Sequence, residues 1–119
     1  MQKAIPKNHQ AVMPYLIVEN ANAFIDFLKD VFDGLELNRH MRTKTTIMHA
    51  EVSINESILM MADSTPEYPS RTAGMLTYVD DADARYHKAL GNGATIIMPP
   101  ADQSYGRSCG VYDSFGNTW

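Results

Sequence analysis

Val18-Glu19-Asn20-Ala21-Asn22-Ala23 returns about sixty positions later as Val79-Asp80-Asp81-Ala82-Asp83-Ala84, three positions identical and three exchanged among acids and amides. Short apolar runs precede both copies, Pro14 to Val18 and Met75 to Val79, and helical patterns follow both. A match in sequence and in context on both sides points to a duplicated unit. In the first unit Asn20 is placed to cap a helix, and Ala23, Phe24, Phe27, Leu28, Val31 and Phe32 recur at helical spacing. Gly34 stands where a left-handed C-terminal cap favours glycine. In the second unit the helix begins near Asp81, presents Ala82, Tyr86, Ala89 and Leu90 on one face, and is closed by Gly91 and Gly93.

Strands are expected after each helix. In the first half they run Leu35 to Arg42, Thr46 to Ile54 and Ser57 to Asp63, with Asn55-Glu56 as a tight turn. In the second they run Ala94 to Met98, Ser108 to Asp113, and onward from Thr118. A loop from Ser64 to Ala73, containing Pro66 and Pro69, joins the halves, and a Gly-containing loop is expected from Ala101 to Gly110. The architecture is therefore α+β, with strand, helix and three strands in each half. Residues 1–119 form one domain, its first module about 11–63 and its second about 74–119 and short of its last strand.

Composition bounds the function. A chain of 119 residues with 45% hydrophobic and 20% charged residues can bury one core. A formal net charge of −4, with Lys and Arg scattered singly, argues against nucleic acid as partner. The opening residues carry Lys3, Pro6 and Lys7 without the apolar run of a signal peptide, and no segment suits a membrane helix. Cys109 is the single cysteine, which fits a reducing, cytoplasmic setting.

One strand indicates what each sheet face requires. Met48, Ala50, Val52 and Ile54 are apolar and belong against a helix, whereas His49, Glu51 and Ser53 alternate onto the other face. The neighbouring strands are apolar on both faces, so the polar side reads as the lining of a pocket. His49 and Glu51, two apart, can share a proton or a small ligand, can hold a metal if further ligands join them, or can be a polar pair satisfied by water or a neighbouring strand. Tyr105 and Arg107 suit an anionic or aromatic ligand, or an ordinary surface ion pair. Asp113 reads as ordering the turn through Gly116, and Cys109 as a small buried hydrophobe.

The repeated unit, with Pro14-Tyr15-Leu16-Ile17-Val18, Met48-His49-Ala50-Glu51 and Asp113-Ser114-Phe115-Gly116-Asn117-Thr118-Trp119, resembles the vicinal oxygen chelate superfamily of glyoxalases, bleomycin-resistance proteins and extradiol dioxygenases. Its PhnB-like branch is the nearest in pattern. The resemblance implies paired βαβββ modules curled into a cup, a homodimer and a small-molecule ligand. In metal-using relatives it also implies a divalent cation held by His, Glu or Gln of the first and last strands. Carried onto this sequence, those ligand places fall at about Met13, Met60 and Gly74, and beyond Trp119. Thioethers and glycine are poor ligands for such cations, so no metal or other cofactor is expected. Met13, Tyr15, Ile17 and Met60 are then expected to line the cup, with Tyr105 and Arg107 binding ligand and His49 and Glu51 as catalytic candidates. Either a proton-transfer enzyme of lyase or isomerase type or a sequestering protein for a drug or metabolite fits this pattern.

Overall fold

The computed structural model describes residues 4–119; residues 1–3, including Lys3 of the segment read as no signal peptide, lie outside the described residues. Eight elements follow one another: β1 (Tyr15–Val18), α1 (Ala21–Phe32), β2 (Leu35–Met41), β3 (Ile47–Ile54), β4 (Ser57–Asp63), α2 (Ala82–Gly91), β5 (Thr95–Gln103) and β6 (Gly106–Tyr112). Among the described residues no helix is long and apolar enough to cross a membrane.

Both helices begin where the repeat places them. Asn20 accepts from the Ala23 amide and Asp81 from the Ala84 amide, each at 3.1 Å, which satisfies a backbone donor the first turn leaves free. The end of α1 differs from expectation. Asp33, not Gly34, takes the left-handed conformation, with φ 56°. Gly34 is needed for space, since a Cβ there would stand 2.9 Å from Leu28 O and 3.0 Å from Val52 Cγ1.

The first half forms a four-stranded sheet in the order β1-β4-β3-β2, with β1 parallel to β4 and the other pairs antiparallel. Asn55 and Glu56, at φ 45° and 73°, make the tight turn between β3 and β4. Leu16, Val18, Ala50, Val52, Leu59 and Met61 face α1, whose Phe24, Ile25, Leu28 and Val31 are fully buried against them. Met48 departs from the expected alternation. His40 pairs with His49 but Met41 with Ile47, so Met48 is the extra residue of a bulge. Ile47 takes the buried place and Met48 is half exposed. Asp63 then ties strand to helix, accepting from the Ala21 amide at 2.7 Å and the Ile47 amide at 2.6 Å.

The second half repeats this order in reduced form. β5 and β6 pair antiparallel, Tyr112 bridges Thr118 antiparallel, and Thr118 bridges Gly74 in parallel. The strand expected at 75–79 does not form a ladder. Its residues alternate between half-buried and exposed, as a strand's would, but only Thr118 and Trp119 stand where β4 stands in the first half. The loop expected over 101–110 is instead a hairpin, turning at Ser104 and Tyr105. Pro99 and Pro100 fall within a register shift between Met98 and Ala101, where a missing N–H costs no ladder bond.

The halves meet through aromatic rings on the helix side. Phe115 packs on Phe24 at 5.2 Å and on Phe27 at 6.2 Å, and Trp119 on Phe32 at 4.8 Å between ring centroids. The second half is therefore docked on α1 and not across the polar face of the first sheet. Among the described residues no Cα of β5 or β6 lies within 8 Å of one in β1 to β4. The α+β fold of curved mixed sheets and two helices is as expected, and within one chain β5 and β6 do not face the polar side of the first sheet.

Candidate functional site

The register of β1 to β4 brings the expected polar face together. Glu51 stands opposite Met60 on one side and Asn38 on the other, Met60 stands opposite Tyr15, and His49 opposite His40. Ile17 follows Tyr15 on the same side of β1. Met13, half-buried, lies just before β1. Of the eight residues singled out from the sequence, Tyr15, Ile17, Met60, His49 and Glu51 share this face.

These side chains form one continuous hydrogen-bonded row. Tyr15 Oη is 3.2 Å from His49 Nδ1, and His49 Nε2 is 2.9 Å from Glu51 Oε2. Glu51 Oε1 in turn lies 2.8 Å from Nε2 of His9, whose Nδ1 is 2.9 Å from the Lys7 carbonyl. The carboxylate only accepts, so His49 donates from Nε2; a Tyr15 hydroxyl giving its proton to Nδ1 then completes one donor order, Tyr15 to His49 to Glu51, and the ring is held at both ends. Asn38 stands opposite Glu51 on β2, and its Oδ1 is buried without a partner among the described residues.

The charges follow from these bonds. The His49 hydrogen bond, then that from His9, hold the Glu51 carboxyl below the usual carboxylate range against the opposing effect of burial. His9 is raised above the ordinary imidazole range by the Lys7 carbonyl first and Glu51 second. Glu51 is buried, His49 a quarter exposed, and Tyr15, at 47% exposure, ends the row toward solvent. At the other end of the row, past His9, a groove of about 570 Å³ runs over Leu37, Ser53 and Ile58, walled by Asn8 and His9.

His9 went unnoticed in the sequence. It lies 42 positions from Glu51, in a polar stretch without periodicity. Tyr105 and Arg107 are placed elsewhere. Tyr105 is 79% exposed at the tip of the β5–β6 hairpin. Arg107 is committed to Asp83 at 2.7 Å and Asp102 at 3.1 Å. Cys109, half-buried with Sγ 3.8 Å from Ala82 O, has its thiol pushed up by burial and by Asp83, which disfavours the nucleophilic thiolate.

The divalent cation that the resemblance implies does not fit these residues. The places that map to its ligands carry the thioethers of Met13 and Met60 and the bare backbone of Gly74. The nearby imidazoles direct Nε2 at carboxylate oxygens instead, and among the described residues no three His, Cys, Asp or Glu side chains are grouped to hold a metal.

Comparison with known proteins agrees with this architecture. An uncharacterised protein of Mycobacterium bovis is 34% identical over 122 aligned residues, covering 92% of this chain and 80% of its own. Among solved structures, TioX from Micromonospora sp. ML1 superposes with a TM-score of 0.71 at 23% identity, covering 92% of each chain. A protein from Bacillus cereus described as a putative 3-demethylubiquinone-9 3-methyltransferase, PhnB protein, superposes with a TM-score of 0.70 at 20% identity, covering 92% of this chain and 96% of that one. At such identities the superpositions speak to the fold alone. The sequence model of one family matches residues 8–119, and with it the chain belongs to the glyoxalase/bleomycin resistance protein/dioxygenase superfamily.

Proposed function

We propose that this chain binds a small organic molecule on the polar face of its four-stranded sheet and moves a proton there without a metal, through Tyr15, His49 and Glu51. The observation that supports this reading is the unbroken donor order Tyr15 to His49 to Glu51, ending at a half-exposed hydroxyl. As a ligand's acidic C–H or O–H gives its proton to Tyr15 Oη, the tyrosine proton passes to His49 Nδ1, and the imidazolium formed rests on the Glu51 carboxylate. Ile17 and Met60 offer apolar contact around that point. Sequestration without turnover is the second reading, favoured by one feature: both Glu51 oxygens are already engaged, leaving no free carboxylate oxygen for a ligand.

A thermal-shift screen of metabolites tests the binding claim. A specific ligand raises the transition temperature with concentration; under proton transfer the rise persists in His49→Ala and Glu51→Ala while turnover is lost. Protein purified without chelator is expected to carry well under one equivalent of Zn, Mn, Ni or Fe. A full equivalent per chain that is lost in Glu51→Ala would sink the metal-free reading.

The chain is further proposed to act as a homodimer in the cytoplasm. Ile96, Ile97, Met98 and Tyr112 of the β5–β6 hairpin, with Leu76 and Tyr78 beside it, are exposed apolar side chains on a two-stranded sheet that packs against α2 alone among the described elements. A second copy laying this surface over the polar face of the first sheet would supply the missing wall of the cup. Sedimentation velocity is expected to give twice the chain mass, with Tyr78→Asp and Ile97→Asp shifting it to monomer. A wild-type monomer at micromolar concentration removes the claim. The single thiol, Cys109, supports a reducing compartment.

A further inference from the structure

The segment crossing the polar face carries a device that the proton transfer does not use. Residues 6–9 form a tight turn, the His9 amide donating to Pro6 O at 3.0 Å, with Asn8 at φ 65°, a conformation asparagine adopts more readily than most residues. That turn swings the Lys7 carbonyl onto His9 Nδ1 while Nε2 meets Glu51. Neither oxygen can donate, so both ring nitrogens must, and an imidazole donating from both nitrogens is an imidazolium. One residue on, Gln10 Nε2 donates to Ile58 O at 2.8 Å, across the end of the groove.

We infer that residues 6–10 are a latch over the polar face, locked by the His9 imidazolium on Glu51 and released when that ring loses a proton. A neutral ring keeps one N–H, and whichever nitrogen loses it turns a lone pair toward an oxygen. With the proton on Nδ1, Nε2 then opposes the Glu51 carboxylate and the ion pair is gone. The Gln10 bond, one neutral hydrogen bond, is too weak to hold the segment alone. Other ionisable groups around His9 are His49 on β3, His40 across from it on β2, Glu56 in the turn that shares the groove, and Lys7 in the segment itself. Only Glu51 touches the ring, so it sets the response.

The sign follows from the directions of the two shifts. His9 is raised, so its contribution to holding the latch is complete below its ordinary value of about 6.5 and is lost as pH rises through the raised value. Glu51 is lowered, so its contribution is lost only as pH falls through that lowered value. Between the two the latch is shut. On the alkaline side it opens and frees Glu51 Oε1 and the groove over Ser53 and Ile58, whether or not the Tyr15 row turns a ligand over.

The protection factor of the His9 amide, the one amide of residues 7–10 with an acceptor among the described residues, is to be followed, corrected for intrinsic exchange, from about pH 5 to about pH 9 in the wild-type chain, as is that of the residue-9 amide in His9→Ala. Selective ¹⁵N labelling of histidine reads the His9 ring state in the same range. Protection in the wild type is expected to fall several-fold as the ring titrates, and in His9→Ala to be absent at every pH. The β3 and β4 amides stay protected in both, which separates release of the latch from unfolding. A flat wild-type profile, wild-type protection in His9→Ala, or a His9 ring singly protonated near pH 6 overturns the latch.

Discussion

Asp113→Ala is expected to cost about 4 kcal/mol of stability, read as a lower midpoint in urea unfolding at unchanged slope. The buried Asp113 carboxylate accepts from the Phe115 amide at 2.8 Å, the Asn117 amide at 2.9 Å, Asn117 Nδ2 at 3.1 Å and Trp119 Nε1 at 2.8 Å. Alanine leaves all of these donors without an acceptor, and Asn117, fully buried, has no route to water. Asn117 Oδ1 also accepts from the Ala73 amide at 3.0 Å, so the loss spreads to the connection between the halves. The Phe115 and Trp119 rings that dock on α1 are held at the angle this carboxylate imposes. Trp119→Phe removes one donor and keeps most of the ring, and is expected to cost only about 1 kcal/mol. If Asp113→Ala unfolds within about 1 kcal/mol of wild type, the carboxylate is not the joint between the halves.

The elements that sequence made legible are those governed by neighbours along the chain. The repeat, both N-caps, the Asn55-Glu56 turn and the opposition of Ala50 and Val52 to His49 and Glu51 all depend on contacts within a few positions. Those that were not legible depend on a partner strand. A bulge exists only relative to the strand opposite, so nothing in the β3 sequence marks Met48 as the extra residue. The 75–79 segment has the alternation of a strand, but a ladder needs a neighbour over its whole length, and Thr118 offers only a bridge at Gly74. Pro99-Pro100 reads as the end of β5 until a register shift on the β6 side makes room for it.

The site divides in the same way. His49 and Glu51 could be paired because they lie two apart on one strand. Tyr15 and His9 enter from 34 and 42 positions away, and no local pattern singles out a tyrosine hydroxyl that will land on an imidazole nitrogen. From sequence, Arg107 on an expected loop reads as a ligand contact or as one half of an ordinary ion pair. Its place on β6 beside α2 gives it Asp83 and Asp102, and these raise its already high pKa further. The aromatic clamp explains why the second sheet does not roof the polar face. Phe115 and Trp119 find their apolar partners on α1, on the far side of the first sheet.

With a ligand that the wild-type chain binds and deprotonates, Tyr15→Phe is expected to lower the rate of exchange of that ligand's acidic proton with D₂O by about 10²–10⁴-fold. Its dissociation constant should change by no more than about tenfold, the worth of one neutral hydrogen bond. Tyr15 Oη spends its only proton on His49 Nδ1, so toward solvent it offers lone pairs, the end of the row able to take a proton. Phenylalanine keeps the ring, which lies 5.6 Å from the His49 ring, and removes only that oxygen, so a loss of rate with binding preserved isolates proton transfer from packing. Glu51→Gln attacks the other end. It leaves His49 able to hydrogen-bond but takes away the anion on which an imidazolium must rest, and exchange should slow comparably. Proton NMR of the ligand in D₂O reads exchange even where no net product forms. Exchange in Tyr15→Phe as fast as in wild type would leave the row a structural tie and favour sequestration, because the one group in it able to take a ligand proton would have been removed without effect.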